Sequence, residues 1–233
     1  MSHMFPFITD TWNPFTGPCP YECSYCWAKS MINRYKWPKY TVSEPAIDEK
    51  QIKRKFKLGA FIFVQDMSDA SVNSLGDVAR VMTVVKLNPE VTFLFLVKNP
   101  RAYLRWVDHI FTRPTENVIF GATVETDNSD LLRQHSKAPP AHSRLEALYD
   151  LSNMGIKTFI SVEPIMDFNP RLLAAISLIR PWAVAVGYDN YNNGLPEPPL
   201  AKTLGLIESL EKQGITVYRK TLRESISSKG ERT

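Results

Sequence analysis

Apolar residues fall along this chain in short runs that close on polar tips. Ala60 to Gln65, Val91 to Asn99, Val118 to Thr126, Lys157 to Asp167 and Ala183 to Asn190 each read as an apolar, β-rich stretch ending in polar residues. Thr216 to Lys220 is a shorter sixth run, and Phe5 to Thr9, near the start, makes seven. Continuous apolar runs of this kind are strands buried on both faces. Between them lie stretches with helical character: Trp27 to Lys36, Ala46 to Phe56, Leu75 to Leu87, Pro100 to Phe111, Ala141 to Met154, Pro170 to Ile179 and Pro199 to Gln213. Proline and glycine in Asp10 to Gly17 predict a loop there, and Pro38 to Pro45 reads as an irregular connector. Strands alternating with helices of this length imply parallel pairing through right-handed crossovers. An open doubly wound sheet and a full or partial (β/α) barrel both satisfy the pattern.

With 233 residues the chain fits one domain with a substantial core. The apolar fraction is 44%, the charged fraction is 22%, and no uninterrupted apolar stretch reaches membrane-spanning length, which reads as a soluble cytoplasmic protein. Met1-Ser2-His3-Met4 lacks the features of a secretory signal and is expected to be a cloning remnant or disordered start, with one domain over 5–222 and a polar tail over 223–233. The net charge of +4, from 28 basic and 24 acidic side chains, is too small to argue for nucleic acid by counterion release. The cations Lys50, Lys53, Arg54, Lys55 and Lys57 read as a solvated helix face in preference to a nucleic-acid patch.

The chemistry concentrates in Cys19-Pro20-Tyr21-Glu22-Cys23-Ser24-Tyr25-Cys26, which holds all 3 cysteines of the chain. Three thiolates so close together form one ligand set, and on a four-iron, four-sulfur cube they leave one iron without a protein ligand. Zinc is the competing metal, but structural zinc takes four ligands and the only histidine near is His3. An odd cysteine count in a chain without a signal peptide fits a reducing compartment better than a disulfide framework, and unligated buried thiols are the remaining alternative.

In a barrel, chemistry gathers where the strands end. The predicted tips carry Asp66, Ser68 and Asp69, then Lys98 and Asn99, Thr123 and Glu125, Ser161 and Glu163, Tyr188 and Asp189, and last Lys220. Glu125 and Glu163 sit mid-run, where an unpaired carboxylate is costly to bury, so each needs a cationic or hydroxyl partner.

The spacing C-x3-C-x2-C with Tyr25 just before the last cysteine resembles the signature of the radical S-adenosylmethionine (SAM) superfamily. Thr11-Trp12-Asn13-Pro14, Met67-Ser68-Asp69, Leu96-Val97-Lys98, Asn117-Val118 leading to Gly121 through Glu125, and Ser161-Val162-Glu163-Pro164 are similar to an uncharacterised, phage-associated family within it. The chain departs from that family in its compact cysteine spacing, in Asp66 where serine is usual, and in Val186-Gly187-Tyr188-Asp189 in place of a glycine-glycine-glutamate turn. The resemblance implies a partial TIM-like barrel of six to seven parallel strands. It implies a 4Fe-4S cluster on Cys19, Cys23 and Cys26, with SAM chelated by the open iron and cleaved to a 5′-deoxyadenosyl radical that abstracts hydrogen from substrate. Tyr25 would lie by the adenine, Asp66, Ser68 or Asp69 would take the methionine ammonium, and Lys98 its carboxylate. Thr123, Glu125, Ser161 and Glu163 would meet the ribose, while Arg144 would pair with Glu125 or bind an anionic substrate. Asp189 is a further substrate candidate, and Tyr188 and Lys220 are the catalytic candidates.

With every sulfur committed, none remains for an auxiliary cluster, a methylated cysteine or a hydrogen-donating thiol, so Tyr188, Tyr191 and Tyr218 are the donors to consider. The substrate expected is a nucleotide or nucleic-acid base, with flavodoxin or ferredoxin as reductant and no membrane partner. A glycyl-radical activase is the alternative within enzymes. A zinc-binding interaction module without catalysis is the alternative outside them.

Overall fold

The computed structural model describes residues 4–41, 44–110 and 116–226. In chain order the elements are β1 (Asp10–Trp12), β2 (Phe15–Thr16), α1 (Trp27–Tyr35), β3 (Ala46–Ile47), α2 (Glu49–Ile52), β4 (Phe61–Val64), α3 (Leu75–Lys86), β5 (Thr92–Val97), α4 (Arg101–Ile110), β6 (Val118–Thr123), α5 (Ser129–His135), α6 (Ala141–Asn153), β7 (Thr158–Val162), α7 (Arg171–Ile179), β8 (Ala183–Val186), α8 (Leu200–Lys212) and β9 (Val217–Arg219). Seven strands pair in the order β1-β4-β5-β6-β7-β8-β9, all parallel, and curl into a half-barrel. β2 and β3 form a separate antiparallel pair.

The two faces of the sheet bury different residues. Val64, Phe95, Phe120, Val162 and Val186 join the large core shared with Val81, Trp106, Leu148, Ile176 and Ile207 of the helices. Residues an odd number of positions away on the same strands, Phe63, Leu94, Ile119, Phe159 and Ala185, face inward and form a second cluster that no helix residue joins among the described residues. The two-residue period of a strand therefore sends Gly121, Thr123 and Glu125 of the β6 segment inward with Ile119, and Ser161 and Glu163 with Phe159. Gly121 is small for a reason, because a Cβ there would lie 3.0 Å from Leu96 Cδ1 and 3.0 Å from the Phe159 carbonyl oxygen. Gly121→Val should cost about 1–3 kcal/mol by overpacking this floor. Urea unfolding reads the loss, and an unchanged midpoint would contradict the tight contact.

The start of the chain differs from expectation. The first strand is Asp10–Trp12, inside the stretch predicted as loop, and Phe15–Thr16 is a strand as well. Phe5 to Ile8 is instead a plug. Phe5 and Phe7 stack with centroids 5.6 Å apart, Phe5 meets Phe159 at 5.0 Å, and Phe7 lies 4.8 Å from Phe61 and 4.6 Å from Tyr218. These aromatics close the amino-terminal end of the half-barrel and leave its carboxyl end as the polar mouth. Met4 belongs to this plug, since its carbonyl accepts from Lys220 Nζ.

The helix expected over Ala46 to Phe56 shrinks to Glu49–Ile52, because Ala46–Ile47 pairs with Phe15–Thr16. Beyond Ile52 a continued helix would set Lys50, Lys53, Arg54 and Lys57 three and four residues apart, where like charges repel. Arg54 instead leaves to pair with Asp10. The short helix α5, capped by Asn128 Oδ1 on the N–H groups of Asp130 and Leu131, was not expected. The other predicted helices and strands are present within a few residues. Phe111, residues 1–3 of the predicted start and 227–233 of the predicted tail lie outside the described residues. No helix among the described residues is long and apolar enough to cross a membrane.

Candidate active site

The cysteine loop runs from the β2 strand into α1 and rests on the mouth of the half-barrel. Cys26 is the N-cap of α1, its Sγ accepting from Lys29 N at 3.4 Å. The loop is clamped by the end of α5: Ser24 N donates to the His135 carbonyl at 2.8 Å, Lys137 N donates to the Tyr21 carbonyl at 2.7 Å, and Cys23 Sγ lies 3.1 Å from Ser136 Oγ. Tyr21, Cys23 and Tyr25 pack with Ala138, Met166 and Leu195, and Cys19 and Cys26 border the same cluster. Burial first, and then the Asp69 carboxylate, push the Cys19 thiol up to about 12. A thiol so placed ionises when a metal offsets its charge.

Opposite the loop stands Glu125, fully buried just past β6. Arg144, also fully buried, meets its Oε2 at 2.9 Å, while Lys98 Nζ and Tyr25 Oη both donate to Oε1. Burial pushes the carboxyl up, but the Lys98 and then the Arg144 cations outweigh it and bring Glu125 down to about 2. It is thus an anion at any working pH. This carboxylate joins the tips of β5 and β6, helix α6 and the residue beside Cys26. Arg144 also donates to the carbonyls of Thr123 at 2.8 Å and Pro139 at 2.7 Å, and its Nη2 is buried without a partner. Of the two expectations for Arg144, the pairing with Glu125 is the one formed.

Asp69 is the second buried acid. It accepts from Lys98 N at 2.7 Å and Ser71 N at 2.9 Å, and burial raises its carboxyl against those bonds. Ser71 Oγ in turn lies 2.9 Å from Tyr21 Oη, so Asp69 reaches the cysteine loop through one side chain. Asp66 has a buried Oδ1 with no partner, and burial raises its carboxyl too. Ser68 Oγ accepts from Gln65 Nε2 at 2.8 Å. Farther round the mouth, Thr123 and Ser161 are paired in register. Glu163 Oε2 stands 3.8 Å from Lys220 Nζ, burial raising its carboxyl and Lys220 opposing the rise.

Two predicted residues lie elsewhere. Tyr188 points to the helix side, fully buried, its hydroxyl donating to the Pro198 carbonyl at 2.9 Å and 2.8 Å from Thr203 Oγ1. It follows Gly187, whose position faces Lys220 and Glu163, so the strand period turns Tyr188 outward. Asp189 uses its carboxylate to cap the turn that follows, accepting from Tyr191 N at 3.0 Å and Asn193 Nδ2 at 2.9 Å. Tyr218 belongs to the floor beside Phe7, and Tyr191 is 66% exposed.

Several residues at the site went unassigned in the sequence. Asn13 Oδ1 accepts from Asp66 N at 3.0 Å and Met67 N at 3.4 Å, fixing the loop after β4. Its signal was present in Thr11-Trp12-Asn13-Pro14. Gln65, at φ +67°, bridges Phe15 N at 3.0 Å and Ser68. Ser136, His135 and Met166 meet the cysteine loop from more than a hundred residues away, and no local pattern announces them.

Residues 3–187 match the model of a family described as protein of unknown function (DUF5131). The chain belongs to that family. Its description gives no activity. Among solved structures, the chain is similar to a mutant of spore photoproduct lyase, at 11% identity and TM-score 0.63, over 94% of this chain and 80% of that one. Another spore photoproduct lyase mutant, solved with dinucleoside spore photoproduct, matches at 12% identity and TM-score 0.61, over 88% of this chain and 75% of that one. SuiB of Streptococcus suis, bound to S-adenosylmethionine, matches at 9% identity and TM-score 0.57, over 92% of this chain and 51% of that one, so the chain spans about half the length of SuiB. These likenesses establish the half-barrel fold that this chain shares with both. No curated protein matches.

Proposed function

We propose that this protein is a radical SAM enzyme, in which Cys19, Cys23 and Cys26 hold a 4Fe-4S cluster and S-adenosylmethionine binds across the mouth of the half-barrel. The observation that carries the reading is the position of the chain's only thiols, in one loop packed against the polar carboxyl end of a half-barrel whose solved relatives include a SAM-bound enzyme. Among the described residues, no three Cys, His, Asp or Glu side chains are grouped to hold a single metal ion. Structural zinc takes four protein ligands, whereas three thiolates on a 4Fe-4S cube leave one iron open for SAM, so a set of three cysteines fits the cluster better.

When bound, the cluster and SAM supply the electron transfer that splits the sulfonium and releases a 5′-deoxyadenosyl radical. The chain's own part is binding and orientation. Asp66 offers a buried, unpartnered carboxylate oxygen to the methionine ammonium, with Ser68 and Asp69 beside it. Lys98 spends two of its three N–H donors on Glu125 and Tyr25, leaving one for the methionine carboxylate. Thr123 and Ser161, side by side on the inner face, present hydroxyls to the ribose, and Glu125 keeps Tyr25 in place beside the adenine. Glu163 and Lys220 form the far wall, where substrate would enter, with Lys220 the better placed of the two catalytic candidates. The reductant is a flavodoxin or ferredoxin, and the substrate a nucleotide or nucleic-acid base.

An anaerobically reconstituted sample should be brown and, once reduced, should release methionine and 5′-deoxyadenosine from SAM. Candidate nucleotides and nucleic acids labelled with deuterium should pass label into 5′-deoxyadenosine. A colourless protein that binds zinc and leaves SAM intact would overturn the reading.

A further inference from the structure

Directly after the cysteine loop, the chain exposes aromatic rings that the half-barrel does not need. From Asn33 to Pro38 every residue is exposed, Tyr35 at 51% and Trp37 at 37%. Their rings are stacked on one another, with centroids 5.5 Å apart and planes 19° from parallel. Cations accompany them: the Arg34 guanidinium lies 5.5 Å from the Tyr35 ring and Lys39 Nζ lies 4.9 Å from the Tyr40 ring.

The segment is also rigid. Lys36 ends α1 in the left-handed region at φ +49°, its N–H bonded to the Ile32 carbonyl, and Trp37 N reaches the same carbonyl at 3.3 Å. Tyr40, only 3% exposed, anchors the following turn against Ala28 and Met67. The Lys39 carbonyl accepts from Gly17 N at 2.7 Å. Paired exposed aromatics held this firmly cost little further entropy when a flat ligand stacks on them.

Charge selects the ligand. Residues 27–57 carry nine Lys or Arg against three Asp or Glu, a net of +6, although the whole chain nets only +4. Within that stretch, residues 27–39, which hold both rings, carry Lys29, Arg34, Lys36 and Lys39 and no Asp or Glu, and Lys39 Nζ also pairs with Asp48 at 3.3 Å. Aromatic faces interleaved with cations are the recognition chemistry of single-stranded nucleic acid, in which bases stack on rings and phosphates meet Lys and Arg. Helix α1 is 9 residues long, about 13 Å from Cys26 to Tyr35, a span that roughly four stacked nucleotides cover.

We propose that Tyr35 and Trp37, with Arg34, Lys36 and Lys39 around them, form a docking platform for single-stranded nucleic acid beside the mouth of the half-barrel. Calling that strand a substrate rests on the function proposed above, whereas the platform rests on its own residues.

Fluorescence anisotropy with labelled RNA and DNA strands of about 12 nucleotides, single and duplex, tests it. Single strands should bind more tightly than duplexes. Trp37→Ala and Tyr35→Ala should each weaken binding about 5- to 100-fold while leaving the melting temperature unchanged. Lys36→Ala should flatten the slope of log affinity against log salt by about 0.7. Absence of single-strand binding, binding indifferent to both aromatic substitutions, or tighter binding to duplexes or to phosphatidylserine vesicles would overturn the platform. SAM cleavage without nucleic acid, measured on the same samples, separates the two ideas. Cleavage with no stacking-dependent binding removes the platform alone, and stacking-dependent binding with no cleavage removes the enzymatic reading alone.

Discussion

Cys26→Ser should abolish iron binding and SAM cleavage while leaving the fold intact. Cys26 does two separable things: under the proposed function it ligates iron, and it caps α1 through its Sγ and Lys29 N. Serine is a strong N-cap and a poor ligand for iron of a sulfide cluster, so this substitution keeps the second role and removes the first. Cys26→Ala removes both and should be less stable than Cys26→Ser by about 1 kcal/mol, with the same loss of iron. Iron content, visible absorption and product release after anaerobic reconstitution read the first role, and thermal unfolding without metal reads the second. If Cys26→Ser keeps its iron and still cleaves SAM, the cysteine is a cap and the ligand set is misassigned.

The largest loss of stability is expected at Glu125. Glu125→Gln leaves both Arg144, fully buried, and Lys98 without their anion, and breaking a buried pair from one side costs about 3–5 kcal/mol. In a chain of this size that amounts to roughly 10 °C in melting temperature. Lys98→Met should cost less, because Arg144 still balances the carboxylate.

The pH dependence of the Glu125 effect has a definite sign. The carboxyl is held at about 2 in the folded protein against an ordinary 4.5, so its contribution is complete above pH 4.5 and fades as pH falls toward 2. That contribution is about 3 kcal/mol. The stability gap between the wild type and Glu125→Gln should therefore close across that window. A gap below about 1 kcal/mol at neutral pH would mean that the network is not holding the mouth together.

Much of the architecture was legible because strands and helices are announced locally. Leu75 to Leu87 and Ala141 to Met154 have the length of helices, the first capped by Ser74, and Phe61–Val64 and Thr92–Val97 are short apolar runs between polar breaks. The cysteine window was legible for the same reason, all 3 cysteines lying within eight residues. Asp10–Trp12 was misread because its partner, β4, lies some fifty residues on and Pro14 and Gly17 follow immediately. Phe5 to Ile8 has the composition of a strand, yet its rings are used to fill the floor.

Tyr188 marks the limit of the strand pattern. Strands buried on both faces carry no inside-outside alternation in their hydrophobicity, so nothing in Val186-Gly187-Tyr188 says which residue faces the lumen. Only the neighbours do: Lys220 and Glu163 crowd the Gly187 position, and Pro198 and Thr203 receive the Tyr188 hydroxyl. The sequence alone determined the parallel α/β plan, the single loop of thiols and the requirement that Glu125 find a cationic or hydroxyl partner, because each depends on residue types and short-range spacing. The tertiary structure alone decided that Lys98, Arg144 and Tyr25 meet on that one carboxylate, that α5 clamps the cysteine loop, and that Tyr188 and Asp189 turn away. Those are contacts across more than one element, and their geometry exists only once the sheet has curled.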